Sequence, residues 1–257
     1  MNQSLGNSFT YLHRLAEVTL TEPVIVIQGL PGMGLIGKIA ASFLIENYHA
    51  VEIARFFSSF FPPVVQIDTK TGLGRLARVE IYAVTNITPN LIILTGDAQP
   101  HDIGIIQVLN SILDYLVEQK AHTVICLGGL RVHEDGPDIA GFGYNEKVRD
   151  WLVEHNISLL KGGEVTGAVG VLSALAAERN LESYGLLGKL TLAGTDPIAS
   201  KNLLLKIDEL YSIGFDLEKM DKTIEDALQK NERIEHLARE VLEQNNEEDE
   251  RGPGYYI

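Results

Sequence analysis

The sequence predicts an α/β protein: a mostly parallel sheet covered by helices on both faces, a C-terminal helical extension and a polar tail. Three observations carry this. Short apolar runs alternate with segments of helical periodicity along residues 24–215. Several of those runs are apolar at every position, as strands buried on both faces must be. The chain then changes character, becoming strongly acidic. From Asp216 to Ile257 there are thirteen acidic and six basic residues, a balance of −7 and half of the net charge of −14. The expected organisation is an α/β body over 1–215, a helix over 216–244 and a flexible acidic tail over 245–257.

The body begins its alternation at VIVIQG (24–29), a strand opening on four apolar residues and ending in a glycine turn, and Ile36, Ile39, Ala40, Phe43 and Leu44 recur at helical spacing after it. VEIARFF (51–57) and PVVQI (63–67) read as strands. KTGLG (70–74) is a turn before the alternating strand ARVEIYAV (77–84). LIILTG (91–96) is a strand, 102–119 a helix and TVICLGG (123–129) a strand. Residues 131–143 read as a polar loop, 145–155 as a helix, 171–180 as a helix after the glycine-rich KGGEVTGAVG, and 183–192 as a strand. DPIASKNLLLKIDELYSIG opens with Asp196 as N-cap and Pro197 at the first helical position, and Gly214 is suited to end the helix.

In the last helix Leu217, Met220, Ile224, Ala227, Asn231, Ile234, Ala238 and Val241 fall at alternating spacings of three and four. That is a heptad stripe weakened by small and polar members. It packs either on its own domain or on another subunit. The tail, EQNNEEDERGPGYYI (243–257), has a polar, acidic first part with nothing to anchor it, so disorder is expected there. It ends in Tyr255, Tyr256, Ile257 and a free carboxylate, a composition suited to a docking peptide that orders on a partner.

PGMGLIGKIA (31–40) satisfies two nucleotide-loop patterns at once. Gly32, Gly34 and Gly37 fit G-x-G-x-x-G, while Gly32, Gly37 and Lys38 fit G-x-x-x-x-G-K. The second fails because Ile39 stands where a hydroxyl must ligate magnesium. The first lacks the acidic residue at the end of the next strand that would hold a ribose. A structural purpose suffices: a tight strand-to-helix turn and close helix–sheet packing. Lys38 then reads as a solvated side chain.

Gly29, Gly96, Gly128 and Gly129 follow strands, so they gather on one sheet edge, where ligands usually bind. Gly32, Gly34, Asp97, Gly128 and Glu164 form a possible ligand edge, with His101 and Thr166 nearby. A hydrolase or phosphorylase-like reading would use a carboxylate and His101 as acid and base. Against it, no serine sits in a G-x-S-x-G elbow and no paired histidines offer a zinc site; no metal or cofactor is expected. The bland alternative is that Asp97 and Glu164 cap turns and helix starts. The four phenylalanines of RFFSSFFPP (55–63) belong in a core or a subunit interface.

Composition narrows the rest. A net charge of −14 disfavours nucleic acid as partner. No apolar run is long enough to span a bilayer, and the first residues lack a basic start and an apolar core, so a cytoplasmic protein is expected. The single Cys126, inside an apolar run, reads as a buried reduced thiol.

GLPGMGLIGKIAASFLI resembles the N-terminal signature of the proteasome assembly chaperone family, the archaeal relatives of eukaryotic proteasome assembly chaperone two. LTGDAQP (94–100), CLGGL (126–130), GEVTGAVGVL (163–172) and DPIASKNLL (196–204) resemble its later blocks in the same order, covering roughly 20–215. The resemblance implies a three-layer α/β/α fold similar to that of nucleoside phosphorylases, without catalysis. The tail is similar to the hydrophobic–Tyr–any-residue C-terminus of proteasome activators. By that likeness Tyr256 would pack between neighbouring α-subunits of the core particle, Ile257 would offer its carboxylate to a pocket lysine, and Tyr255 would fill the hydrophobic position. A tail of about 14 residues reaches roughly 45 Å when extended. One tail would bind weakly, whereas several on a homo-oligomer, with a tetramer expected, would gain avidity. A paralogous chaperone is a further expected partner.

Overall fold

The structure, a computed structural model, describes residues 8–133 and 136–229. Eleven strands are assigned there: β1 (Thr10–Arg14), β2 (Val24–Gly29), β3 (Val51–Ser58), β4 (Val65–Ile67), β5 (Gly74–Leu76), β6 (Val79–Val84), β7 (Asn90–Gly96), β8 (Ala121–Leu130), β9 (Ile139–Gly143), β10 (Ser158–Leu159) and β11 (Glu182–Lys189). The helices are α1 (Ile36–Asn47), α2 (Ile105–Glu118), α3 (Glu146–Glu154), α4 (Gly167–Glu178) and α5 (Pro197–Tyr211), and a further helix begins at Met220.

Nine strands form one sheet in the order β1-β3-β6-β7-β2-β8-β11-β9-β10, while β4 and β5 form a separate hairpin. The sheet is parallel at its centre, where β7, β2, β8 and β11 lie side by side. Its flanks are largely antiparallel: β1 on β3, β3 on β6, β6 on β7 and β9 on β11. The reason is connection length. Parallel neighbours need a crossover, usually a helix; no helix lies between β3 and β7, so that stretch folds as a meander.

Both faces of the centre are covered, which gives the expected three layers. On β2, Val24 and Val26 join one core with α2 and α4; Ile25 and Ile27 join the other with α1, α3 and α5. All four are at most 2% exposed, worth about 1.5–3 kcal/mol for each side chain buried. Phe56, Phe60 and Phe61 are buried in the α2/α4 core, the home expected for those rings.

Two readings of the sequence need correction. The loop assigned to 131–143 ends in strand β9, which pairs with β11. Its residues, IAGFG, pass for a turn because Gly141 and Gly143 make way for Leu152, Ile157 and Val148 of the α3 region. The Lys38 ammonium is not simply solvated: it donates to Thr95 Oγ1 at 3.2 Å, and burial pushes its pKa down against the pull of Glu80 and Asp97. At the other end of the chain, Asp196 caps α5 by accepting from Ala199 N–H, and Pro197 opens the helix as expected. Ser212 takes the left-handed position after Tyr211, and Gly214 N–H then bonds the Asp208 carboxylate.

Candidate functional site

Strands β2, β7 and β8 end on one edge, and the loops after them wall a cleft of about 750 Å³. Leu30, Gly32 and Met33 come from the β2–α1 loop, Gln99 and Asp102 from the β7–α2 loop, Gly128–Arg131 from β8 and the residue after it. The stretch 160–167 leading into α4 closes the remaining side.

The glycines that raise the nucleotide question divide by environment. A Cβ on Gly29 would sit 2.0 Å from Gly37 O, and one on Gly37 would sit 2.6 Å from Leu127 O. These two let α1 lie directly on the backbones of β2 and β8. Gly34 adopts φ +64°, the left-handed region that favours glycine, and its carbonyl accepts from Asp196 N–H. It braces the start of α5 and is not among the residues lining the cleft. Gly32 alone of the fingerprint has room, its nearest neighbour being Gln99 Nε2 at 3.6 Å.

The expected edge residues are therefore only partly brought together. Gly32, Gly128 and Glu164 line the cleft. Asp97 is turned to Arg75, whose guanidinium makes two bonds to it, and it also accepts from Arg78 N–H. That carboxylate serves as a turn brace, the bland alternative to catalysis. His101 is exposed, its backbone N–H donating to Phe60 O. Asp102 and Glu164 are exposed at the cleft rim. Among the described residues no cluster of three or more His, Cys, Asp or Glu could hold a metal.

Gln99 carries no signal in the sequence that would single it out, yet it holds the site together. Its Nε2 donates to Pro31 O at 2.6 Å and its Oε1 accepts from Ala168 N–H at 2.8 Å. It thus ties the β2–α1 loop to the first turn of α4 across the cleft. Only its place three residues after the β7 glycine hints at this, and glutamine is too common in loops for that to count. Tyr255, Tyr256 and Ile257 lie outside the described residues. No helix among those described is long and apolar enough to cross a membrane.

Fold and site together define a three-layer α/β scaffold whose parallel strand ends build a glycine-walled cleft. The chain belongs to the PAC2 family, whose profile matches residues 26–238. It is similar to two Pyrococcus furiosus proteins of known structure. PbaA, an archaeal homolog of proteasome-assembly chaperone, is 26% identical with a TM-score of 0.73, covering 93% of this chain and 98% of that one. PbaB, an archaeal proteasome activator, shares the fold at 24% identity with a TM-score of 0.77, covering 88% of this chain and 98% of that one. An uncharacterized protein of Methanocaldococcus jannaschii is 25% identical over 232 residues, 89% of this chain and 90% of that protein.

Proposed function

We propose that this protein is a non-catalytic, cytoplasmic factor of the proteasome system, an assembly chaperone or core-particle binding protein. It acts as a homo-oligomer that presents Tyr255-Tyr256-Ile257 tails to pockets between α-subunits. The PAC2 match, spanning most of the body, carries the reading. The likeness to PbaA, a homolog of proteasome-assembly chaperone, and to PbaB, a proteasome activator, supports the proteasome as partner. The tail's order of residues supports the docking mode: an aromatic pair, an isoleucine and a carboxylate after a charged spacer. One such tail buries little area and must be ordered on binding, so several acting together are needed for a durable complex.

Native mass spectrometry of the full chain with a matching archaeal core particle tests this. Complexes are expected with the intact chain and greatly reduced when the last three residues are removed. Equal binding by both would take the tail out of the mechanism, and no binding by either would overturn the reading. Tyr256→Ala should weaken docking by about 2 kcal/mol or more if its ring is a buried anchor.

A second reading keeps the cleft for a small ligand, because its volume and its Gln99-braced walls suit one. Thermal shift with nucleosides and nucleotides addresses it; a dose-dependent rise lost in Gln99→Ala would support it, and a flat response would oppose it.

A further inference from the structure

The hairpin β4–β5 has its polarity inverted. In its register Val65 faces Leu76 and Ile67 faces Gly74, while Gln66 faces Arg75 on the other side. Arg75 turns inward and binds the Asp97 carboxylate on the body. The apolar side is thereby turned outward: Val65, Ile67 and Leu76 are 57–60% exposed, and Val64 and Leu73, just outside the strands, are 43% and 71% exposed. The side chains of Val65 and Ile67 fold over Gly74, whose missing Cβ leaves them room.

This arm is built, not loose. Asp68 closes its turn by accepting from the Lys70 and Thr71 N–H groups and the Thr71 hydroxyl, and Gly72 supplies φ +71°. Yet β4 and β5 pair only with each other among the described residues. An isolated two-stranded hairpin with an uncovered apolar face is marginal in water, and its outer edges template further pairing. Neither strand carries a lysine or proline to blunt that edge.

We propose that this hairpin is the arm by which two copies of the chain associate. The proposal names the surface for the homo-oligomer of the proposed function and rests on that part of it, though not on tail docking. Charge points to a second copy as the occupant. The chain carries −14, so two copies repel, and they meet at least cost through a surface without negative charge. Residues 58–67 hold no charged residue, and across 58–77 Asp68 is balanced by Lys70, Arg75 being paired with Asp97. Area points the same way. Five exposed aliphatic side chains on one short arm, residues 64–76, are more apolar surface than the scattered single residues of an ordinary exterior. Ile103 and Ile106, 72% and 59% exposed, lie just past His101, whose N–H bonds Phe60 at the hairpin's base. Packing about a two-fold axis would set two hairpins face to face and cover both apolar faces.

Sedimentation velocity on the full chain, with the double substitution Val65→Asp and Leu76→Asp, tests the arm. The affected side chains are exposed, so the melting temperature reports whether the subunit still folds. The expected result is association weakened about tenfold or more at an unchanged melting temperature. An Ile67→Cys variant supplies an independent reading, since the native thiol Cys126 is 0% exposed. A bifunctional maleimide should then link two copies through position 67, and not through Val153→Cys on α3, a residue 54% exposed. Assemblies that persist unchanged in the double variant, with no cross-link at 67, overturn the hairpin while leaving self-assembly standing. A wild-type chain that sediments as a monomer overturns both.

Discussion

Gly29 and Gly37 show how little separates a nucleotide fingerprint from a packing device. Each leaves no room for a side chain, because α1 rests on the strand backbones there. Gly37→Ala should cost about 3 kcal/mol or more by urea unfolding, since the obstruction is a backbone carbonyl that cannot swing aside. Gly32→Ala, whose Cβ would meet Gln99 Nε2 at an ordinary contact distance of 3.6 Å, should change stability by less than about 0.5 kcal/mol. Asp196 is the other residue with many dependants. It is fully buried and accepts from Thr191 N–H and Oγ1, Leu192 N–H and Ala199 N–H. Asp196→Ala strands those donors and removes the α5 cap, an expected loss of about 3 kcal/mol. Tyr184 and Tyr211 meet hydroxyl to hydroxyl at 2.6 Å beside Trp151. Burial raises both phenols, that of Tyr211 to about 12. In the unfolded chain they ionise near pH 10. Stability is therefore fully present below pH 10 and lost as pH rises from about 10 through 12, where the unfolded state binds fewer protons. Urea midpoints measured from pH 8 to 11 should fall above 10, less steeply in Tyr211→Phe.

At the scale of elements, the C-terminal heptad stripe changes employment along its length. Leu217 and Met220, the first two positions of the heptad stripe, are 5% and 1% exposed in the core shared with α1 and α5. Ile224 and Ala227 are only partly buried and Leu228 is exposed; Asn231 and the later positions lie outside the described residues. The first two positions thus take the own-domain alternative. Met220→Ala should lower subunit stability by about 2–4 kcal/mol. Ile224→Asp should cost under about 1 kcal/mol in the subunit while shifting the sedimentation coefficient if the stripe meets another copy. Element types were largely legible because period 2 and period 3.6 leave different marks. Strand β9 was not, since its glycines and its flanking polar residues mimic a turn. Nor was β1, whose alternation, TYLHR, is half polar because it lies at the sheet's edge.

For the whole molecule, the covered core closes at Met220 among the described residues. Removing residues 245–257 should therefore leave the melting temperature unchanged within about 2 °C, while abolishing the proposed proteasome complex. The same division explains what could be read of the site. Three of the five edge residues, Gly32, Gly128 and Glu164, line the cleft, because a parallel strand-helix alternation sends its strand ends to a common edge. Asp97 and Gly34 turn elsewhere, to Arg75 and to the start of α5, which are 22 and 162 positions away in the chain.

By itself the sequence determined the layered α/β class, the N-cap and first residue of α5, the break in charge at residue 216 and the family blocks, because each is written in local spacing and composition. Only the tertiary structure decided that the flanking strands run antiparallel, that Gln99 braces the cleft and that the apolar side of the 65–76 hairpin faces outward. Those outcomes depend on which distant segments come to lie together, and a hydrophobic pattern specifies that a face is apolar without saying what covers it.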